Sequence, residues 1–166
     1  MTDPIEEVTY RPIGVIHTPF TDVDGMPIQP TAALGVRGSI VLETEFAAGL
    51  LDLDGFSHLI LLYHLHATRR ARLTVTPFLD DVPHGIFATR SPARPNPIGI
   101  STVRLLGIDR CTVEIEDVDM LDGTPLLDIK PYVPAFDDRQ AARVGWLSGR
   151  LDHLTEVRAD PRFDRP

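Results

Sequence analysis

The chain is poor in the features that mark several large classes of protein. It holds a single cysteine, Cys111, so an internal disulfide and a cysteine-built zinc site are both excluded. No apolar run approaches the ~20 residues that span a bilayer. The first seven residues are acidic and lack the basic and apolar regions of a secretory leader, so the cytoplasm is the expected compartment and no membrane partner is expected. There is no G-x-G, no G-x-x-x-x-G-K-[ST] and no G-x-S-x-G, which removes the common dinucleotide, phosphate-loop and serine-hydrolase sites. Lysine is almost absent. Lys130 stands against fifteen arginines, whose planar forks suit bidentate contact with phosphate or carboxylate. A net charge of -8 argues against a broad electrostatic grip on nucleic acid, although a local patch can be basic on an acidic protein.

The 166 residues, 43% of them hydrophobic, suffice for one domain with a sizeable core. Short β-rich runs separated by turn signals dominate the reading. Strands are predicted over Pro12–Thr18, Gly38–Leu42, Phe56–His66, Ala71–Thr76, Ile98–Leu106, Thr112–Val118 and Leu126–Lys130. The run Phe56–His66 is the most hydrophobic and is predicted to be buried on both faces. A hairpin is placed at Asp109-Arg110, a short helix over Thr44–Leu51 with Thr44 as N-cap, and a C-terminal helix over Asp138–Leu151. The fold class is mainly β: a single-domain antiparallel barrel or sandwich with a few short helices. Residues 1–10 read as a flexible arm, 11–152 as the domain, and 153–166 as a polar, mobile tail.

Phe87–Ser101 is the densest local signal. Pro92, Pro95 and Pro97 fix their own φ, withhold three backbone donors, and push Ser91, Arg94 and Asn96 out of the helical region. A stiff polar loop tied to a core strand is a common way to build a site. The second signal is Asp119–Pro125, where Asp122-Gly123 marks a tight turn and Gly123 can take a positive φ. That turn is either an ordinary hairpin or a cradle for a nucleoside-like ligand, with Asp128, Lys130 and Tyr132 close behind. His64 and His66, with His58 further back, share one side of a predicted strand; a histidine pair is too little for zinc, so no metal is expected. Arg69, Arg70 and Arg72 form a basic patch, either a solvated surface or a receiver of phosphates.

Phe87–Pro92 with Arg94–Gly99, and Asp122–Pro125 with Asp128–Tyr132, resemble the YaeB/TrmO family, as do Ile13–Ile16, Pro27-x-Gln29-Pro30 and Phe56–Leu59. The resemblance implies a β-barrel, S-adenosylmethionine-dependent tRNA methyltransferase acting as a homodimer on N6 of the threonylcarbamoyl-adenosine beside the anticodon, here in a short form without the C-terminal domain. It implies cofactor contacts at Gln29, Pro30, Thr31, His66, Ala67, Arg90 and Asp122 to Pro125, with Gly123 and Thr124 inside that turn. Arg94, Asn96 and Asp122 are expected to carry the chemistry, and Lys130 and Tyr132 to join Arg94 and Asn96 on the substrate side. Asn96 and the carbonyls freed by the prolines are the expected acceptors for the N6 hydrogen. Arg90 or Arg94 is expected to clamp the threonyl carboxylate. Two other readings stay open: a methyltransferase for a small amine or nucleoside, and a non-catalytic S-adenosylmethionine-binding sensor.

Overall fold

The computed structural model describes residues 6–163, so half of the expected N-terminal arm and the last three residues of the expected tail lie outside the described residues. Its centre is a closed six-stranded antiparallel barrel. The strands are β1 (Gly14–His17), β2 (Arg37–Leu42), β3 (His58–His64), β6 (Ile98–Asp109), β7 (Thr112–Glu116) and β8 (Thr124–Pro131), arranged β1-β2-β7-β6-β3-β8. A separate two-residue pairing joins β4 (Thr74–Val75) to β5 (His84–Gly85). A single helical turn, α1 (Pro134–Asp137), follows the barrel.

Strand parity sets what fills the interior. On β3, Leu59, Leu61 and Tyr63 point inward and are buried, whereas Ile60 and Leu62 face outward and are half-buried. The expected burial of this run on both faces is therefore not met. A closed barrel gives each strand one interior face, and a continuous aliphatic run cannot announce that. Ile16, Ile40, Leu126, Val103, Val113 and Ile115 complete a core of fully buried aliphatics. Each contributes about 1.5–3 kcal/mol of transfer free energy.

Other differences have local causes. Thr44–Leu50 is a 3-10 turn preceded by Glu43, with no capping bond from a side chain, rather than a helix capped by Thr44. The β6–β7 hairpin turns at Arg110-Cys111, where Arg110 takes φ 53°, so β6 runs through Asp109. Of Ala71–Thr76 only Thr74 and Val75 pair. The predicted C-terminal helix is absent. In its place stand 3-10 turns at Gly145–Leu147 and Leu151–His153, because Ala141 (φ 57°), Gly145 (φ 58°) and Gly149 (φ 76°) all turn left-handed and interrupt helical progress. The segment expected to be a polar tail packs back onto the molecule. Ala159 N–H donates to Met26 O (2.8 Å), and Phe163 is buried edge-on to Phe78 beside Val75, Ile86 and Ala93.

Candidate functional site at the open end of the barrel

One end of the barrel is polar. Inward positions that would continue the aliphatic core instead carry Tyr63 near the end of β3, Ser101 on β6 and Thr124 at the start of β8, all buried. Tyr63 lies opposite Gly99, and a Cβ at residue 99 would stand 2.2 Å from the Tyr63 ring. Glycine there lets the ring lie flat across β6. From it runs a hydrogen-bond chain: the Tyr63 hydroxyl meets Ser101 Oγ at 2.9 Å, and Ser101 Oγ donates to Asp119 Oδ1 at 2.6 Å. Burial pushes the Asp119 carboxyl up to about 6, opposed by the Ser101 hydrogen bond and the Arg90 charge. Burial likewise pushes the Tyr63 phenol well above its usual range, with the Asp119 charge adding to it.

The proline-rich loop is held from within. Arg94 Nη1 donates to the carbonyls of Thr89 (2.7 Å), Ile86 (3.2 Å) and Ser91 (3.5 Å). The carbonyls of Pro97, Ala93 and Asn96 accept from Leu65 N–H (2.7 Å), Arg72 N–H (2.9 Å) and Ile98 N–H (2.7 Å). The loop's orphan acceptors are thus taken up by the chain itself, which gives Arg94 a positioning task. Ser91 differs: its Oγ is buried and without a hydrogen-bond partner in this structure.

Above this end opens a cavity of about 700 Å³, a size common for small-molecule sites. Tyr63, Asp119, Arg90, Ser91, His66 and Thr124 supply its polar groups; Leu65, Met120, Leu121 and Ile28 are among its apolar walls. A smaller hollow of about 340 Å³ adjoins it and shares Gln29, Arg90, Ile100 and Leu154. The outer wall is the C-terminal segment, through Trp146, Leu147, Leu151, Leu154, Ala159 and Phe163. Trp146 is clasped there. Its Nε1–H donates to Ala88 O (2.8 Å), its ring stacks on His84 (4.5 Å), and Arg150 donates to Asp80, which also meets His84 Nε2 at 3.0 Å.

The sequence-predicted residues divide. Gln29, His66, Ala67, Arg90, Thr124 and Arg94 line the larger cavity, and Pro30 and Thr31 line the smaller one. Arg90 Nη1 donates to Gln29 Oε1 (3.1 Å), and Thr124 Oγ1 meets His66 Nδ1 at 3.4 Å. Asp122 points elsewhere. It accepts from Thr18 N–H (3.1 Å) and meets His17 Nδ1 (3.2 Å), contacts that hold its carboxyl below the usual range, Thr18 first. Gly123 takes φ 76° and donates to Ile16 O, so this turn braces β1 against β8, and Pro125 sits within β8 opposite Val15. Asn96 is exposed and outside both hollows. Lys130 pairs with Asp128 (2.8 Å) and Tyr132 donates to Asp138 (2.5 Å), and neither lines either hollow.

Tyr63, Ser101, Asp119 and Ser91 were not singled out by sequence reasoning. Parity on the strand pair was the available signal: Tyr63 and Ser101 are polar residues at inward positions. Among the described residues no group of three or more histidines, cysteines or acids is placed to hold a metal ion. The donor set instead suits an amphipathic ligand with a flat ring, hydroxyl groups and a cationic centre.

The model of the tRNA-methyltransferase O N-terminal domain matches residues 15–138. A Pyrococcus abyssi protein, named a probable S-adenosyl-L-methionine-binding protein, is 51% identical over 156 residues, which is 94% of this chain and 85% of that one. An Escherichia coli protein named tRNA (adenine(37)-N6)-methyltransferase is 37% identical over 135 residues, 75% of this chain and 57% of that one. A crystal structure of TrmO from Pseudomonas aeruginosa superposes with a TM-score of 0.72 at 37% identity, covering 85% of this chain and 63% of that one. The chain thus spans less than two thirds of the methyltransferase relatives but most of the Pyrococcus one. Barrel, loop and turn together place the chain in the tRNA-methyltransferase O N-terminal domain family.

Proposed function

We propose that this chain is an S-adenosylmethionine-dependent methyltransferase acting on N6 of the threonylcarbamoyl-adenosine next to the anticodon of tRNA. The observation that carries the reading is the cavity at the polar end of the barrel, assembled from the segments that resemble the methyltransferase family. The groups present suit the cofactor. Leu65, Met120 and Leu121 offer apolar surface to a purine, the Gln29–Arg90 pair offers polar partners, and the buried Ser91 hydroxyl lacks the partner a ligand would supply. When bound, S-adenosylmethionine supplies a methyl group on a positively charged sulfur.

The protein's part is to bind, orient and exclude water. Arg94 keeps the loop rigid, Arg90 is the guanidinium left facing both hollows, and the strap from Trp146 to Phe163 shields the cavity from solvent. Arg69 and Arg70 are exposed just beyond the wall residues His66 to Thr68, a local basic rim on an acidic protein suited to phosphates. We read the working form as a cytoplasmic homodimer; Phe87, Ile98 and Ile100, exposed residues on the cavity wall, supply an apolar face for it.

The test is transfer of radiolabel from S-adenosylmethionine. Label in tRNA that carries threonylcarbamoyl-adenosine, and none in tRNA lacking the threonylcarbamoyl group, is the expected outcome. A second reading, an S-adenosylmethionine-binding module without turnover, is favoured by the 85% span of the Pyrococcus relative. Cofactor binding with no label in tRNA or in free nucleosides would select it.

A further inference from the structure

The Tyr63–Ser101–Asp119 chain has no evident structural purpose. The two hydroxyls could satisfy one another without an acid, and an asparagine at position 119 would accept the Ser101 bond without the cost of desolvating a carboxylate. A half-buried acid on a cavity wall is more readily explained by its ability to change protonation state. Because Ser101 donates to Asp119, Tyr63 must donate to Ser101, so both hydroxyl hydrogens run toward the carboxylate and steady its ionised form.

We propose that Asp119, held by the Tyr63–Ser101 hydroxyl chain, takes the proton from the acceptor nitrogen during methyl transfer, an inference that rests on the function proposed above. The acceptor N6 gives its electron pair to the methyl carbon, the carbon–sulfur pair returns to sulfur, and the N6 proton moves to an Asp119 oxygen. Charge balances: a sulfonium and a carboxylate become a neutral thioether and a neutral carboxyl. The exposed Asn96 is thereby relieved of that task.

The groups facing Asp119 are Tyr63 from β3, Ser101 from β6, and Arg90 from the loop, with His66 on the same cavity wall. With the carboxyl pushed up to about 6, Asp119 is an available base above that pH and a spent one below it. The Ser101 bond lowers the Asp119 value, so removing it moves the titration to higher pH.

The experiment is single-turnover methylation of threonylcarbamoylated tRNA from pH 5 to 8 by the native chain, Asp119→Asn and Ser101→Ala. It is accompanied by a carboxyl-carbon NMR titration of Asp119 and by S-adenosylmethionine calorimetry. The native rate rises about tenfold per pH unit below its midpoint and then levels, as for one essential base. Asp119→Asn loses about 100-fold or more in rate together with that limb, while cofactor affinity changes less than about threefold, under 1 kcal/mol. Ser101→Ala keeps the limb, displaced alkaline in both the rate profile and the NMR titration. The proposal is overturned if Asp119→Asn keeps the native limb, if its loss lies wholly in cofactor affinity, or if Asp119 does not titrate between pH 5 and 7. A native chain that transfers no methyl sinks the function itself and this inference with it. A native chain that does, beside an unimpaired Asp119→Asn, sinks this inference alone.

Discussion

The two walls of the cavity are built on different principles, and an aspartate in each registers the difference. The barrel wall is a ladder of paired strands beside which Asp119 lies half-buried, its carboxyl raised. The strap wall is irregular, hung on a few contacts, and its anchor Asp80 is held below the usual carboxylate range, first by its bond to His84 and then by Arg150 and nearby backbone donors. One acid is kept at a cost and is free to change state; the other is stabilised as an anion and serves as a clasp. On the proposed assignment, chemistry belongs to the barrel wall and closure to the strap.

The contrast breaks most sharply at Gly99. Gly99→Ala puts a methyl into the Tyr63 ring and forces the ring aside. The expected cost is about 1–3 kcal/mol of stability, seen as a lower Tm, with a loss of methyl transfer approaching that of Asp119→Asn. Next is the basic rim. Arg69→Glu with Arg70→Glu is expected to raise the KM for tRNA about tenfold and flatten its salt dependence, with S-adenosylmethionine affinity unchanged by calorimetry. At the strap, Trp146→Ala removes the bond to Ala88 and the stack on His84. Faster amide exchange over 145–163 and a cofactor affinity lowered about threefold, under 1 kcal/mol, are expected, with barrel exchange unaltered.

The smallest effect is in pH, where the walls have opposite signs. Asp119 has a folded value above its unfolded one. Its contribution to stability is therefore present below pH 3.8 and lost as pH rises toward about 6. Asp80 has a folded value below 3.8, so its contribution is present above that pH and lost on acidification through the depressed value. Trp146, the only tryptophan, reports the strap by fluorescence. Its signal is expected to change in acid before the barrel's circular dichroism does, and Asp80→Asn is expected to abolish the lead.

The barrel wall was legible because its information is local. β-branched runs, prolines that forbid helix, and an Asp-Gly turn each declare their conformation within a few residues, and the stretches around Gln29, His66 and Arg90 do assemble at one end. Orientation was less legible. Asn96 and Asp122 carry suitable groups, but the side on which a loop residue faces is decided by tertiary contacts, such as Thr18 N–H reaching Asp122. Asp119 went unmarked because a carboxylate beside a turn motif looks solvated until Ser101 and Tyr63 are seen to cover it. The strap was misread because Ala141, Gly145 and Gly149 break a helical pattern by their backbone angles, which apolar spacing does not encode.

One measurement bears most directly on the account: nucleoside mass spectrometry of tRNA carrying threonylcarbamoyl-adenosine, after incubation with this chain and S-adenosylmethionine. The account predicts a single new methyl on N6 of that nucleoside. Unchanged tRNA nucleosides, from a chain shown by calorimetry to bind the cofactor, would contradict it.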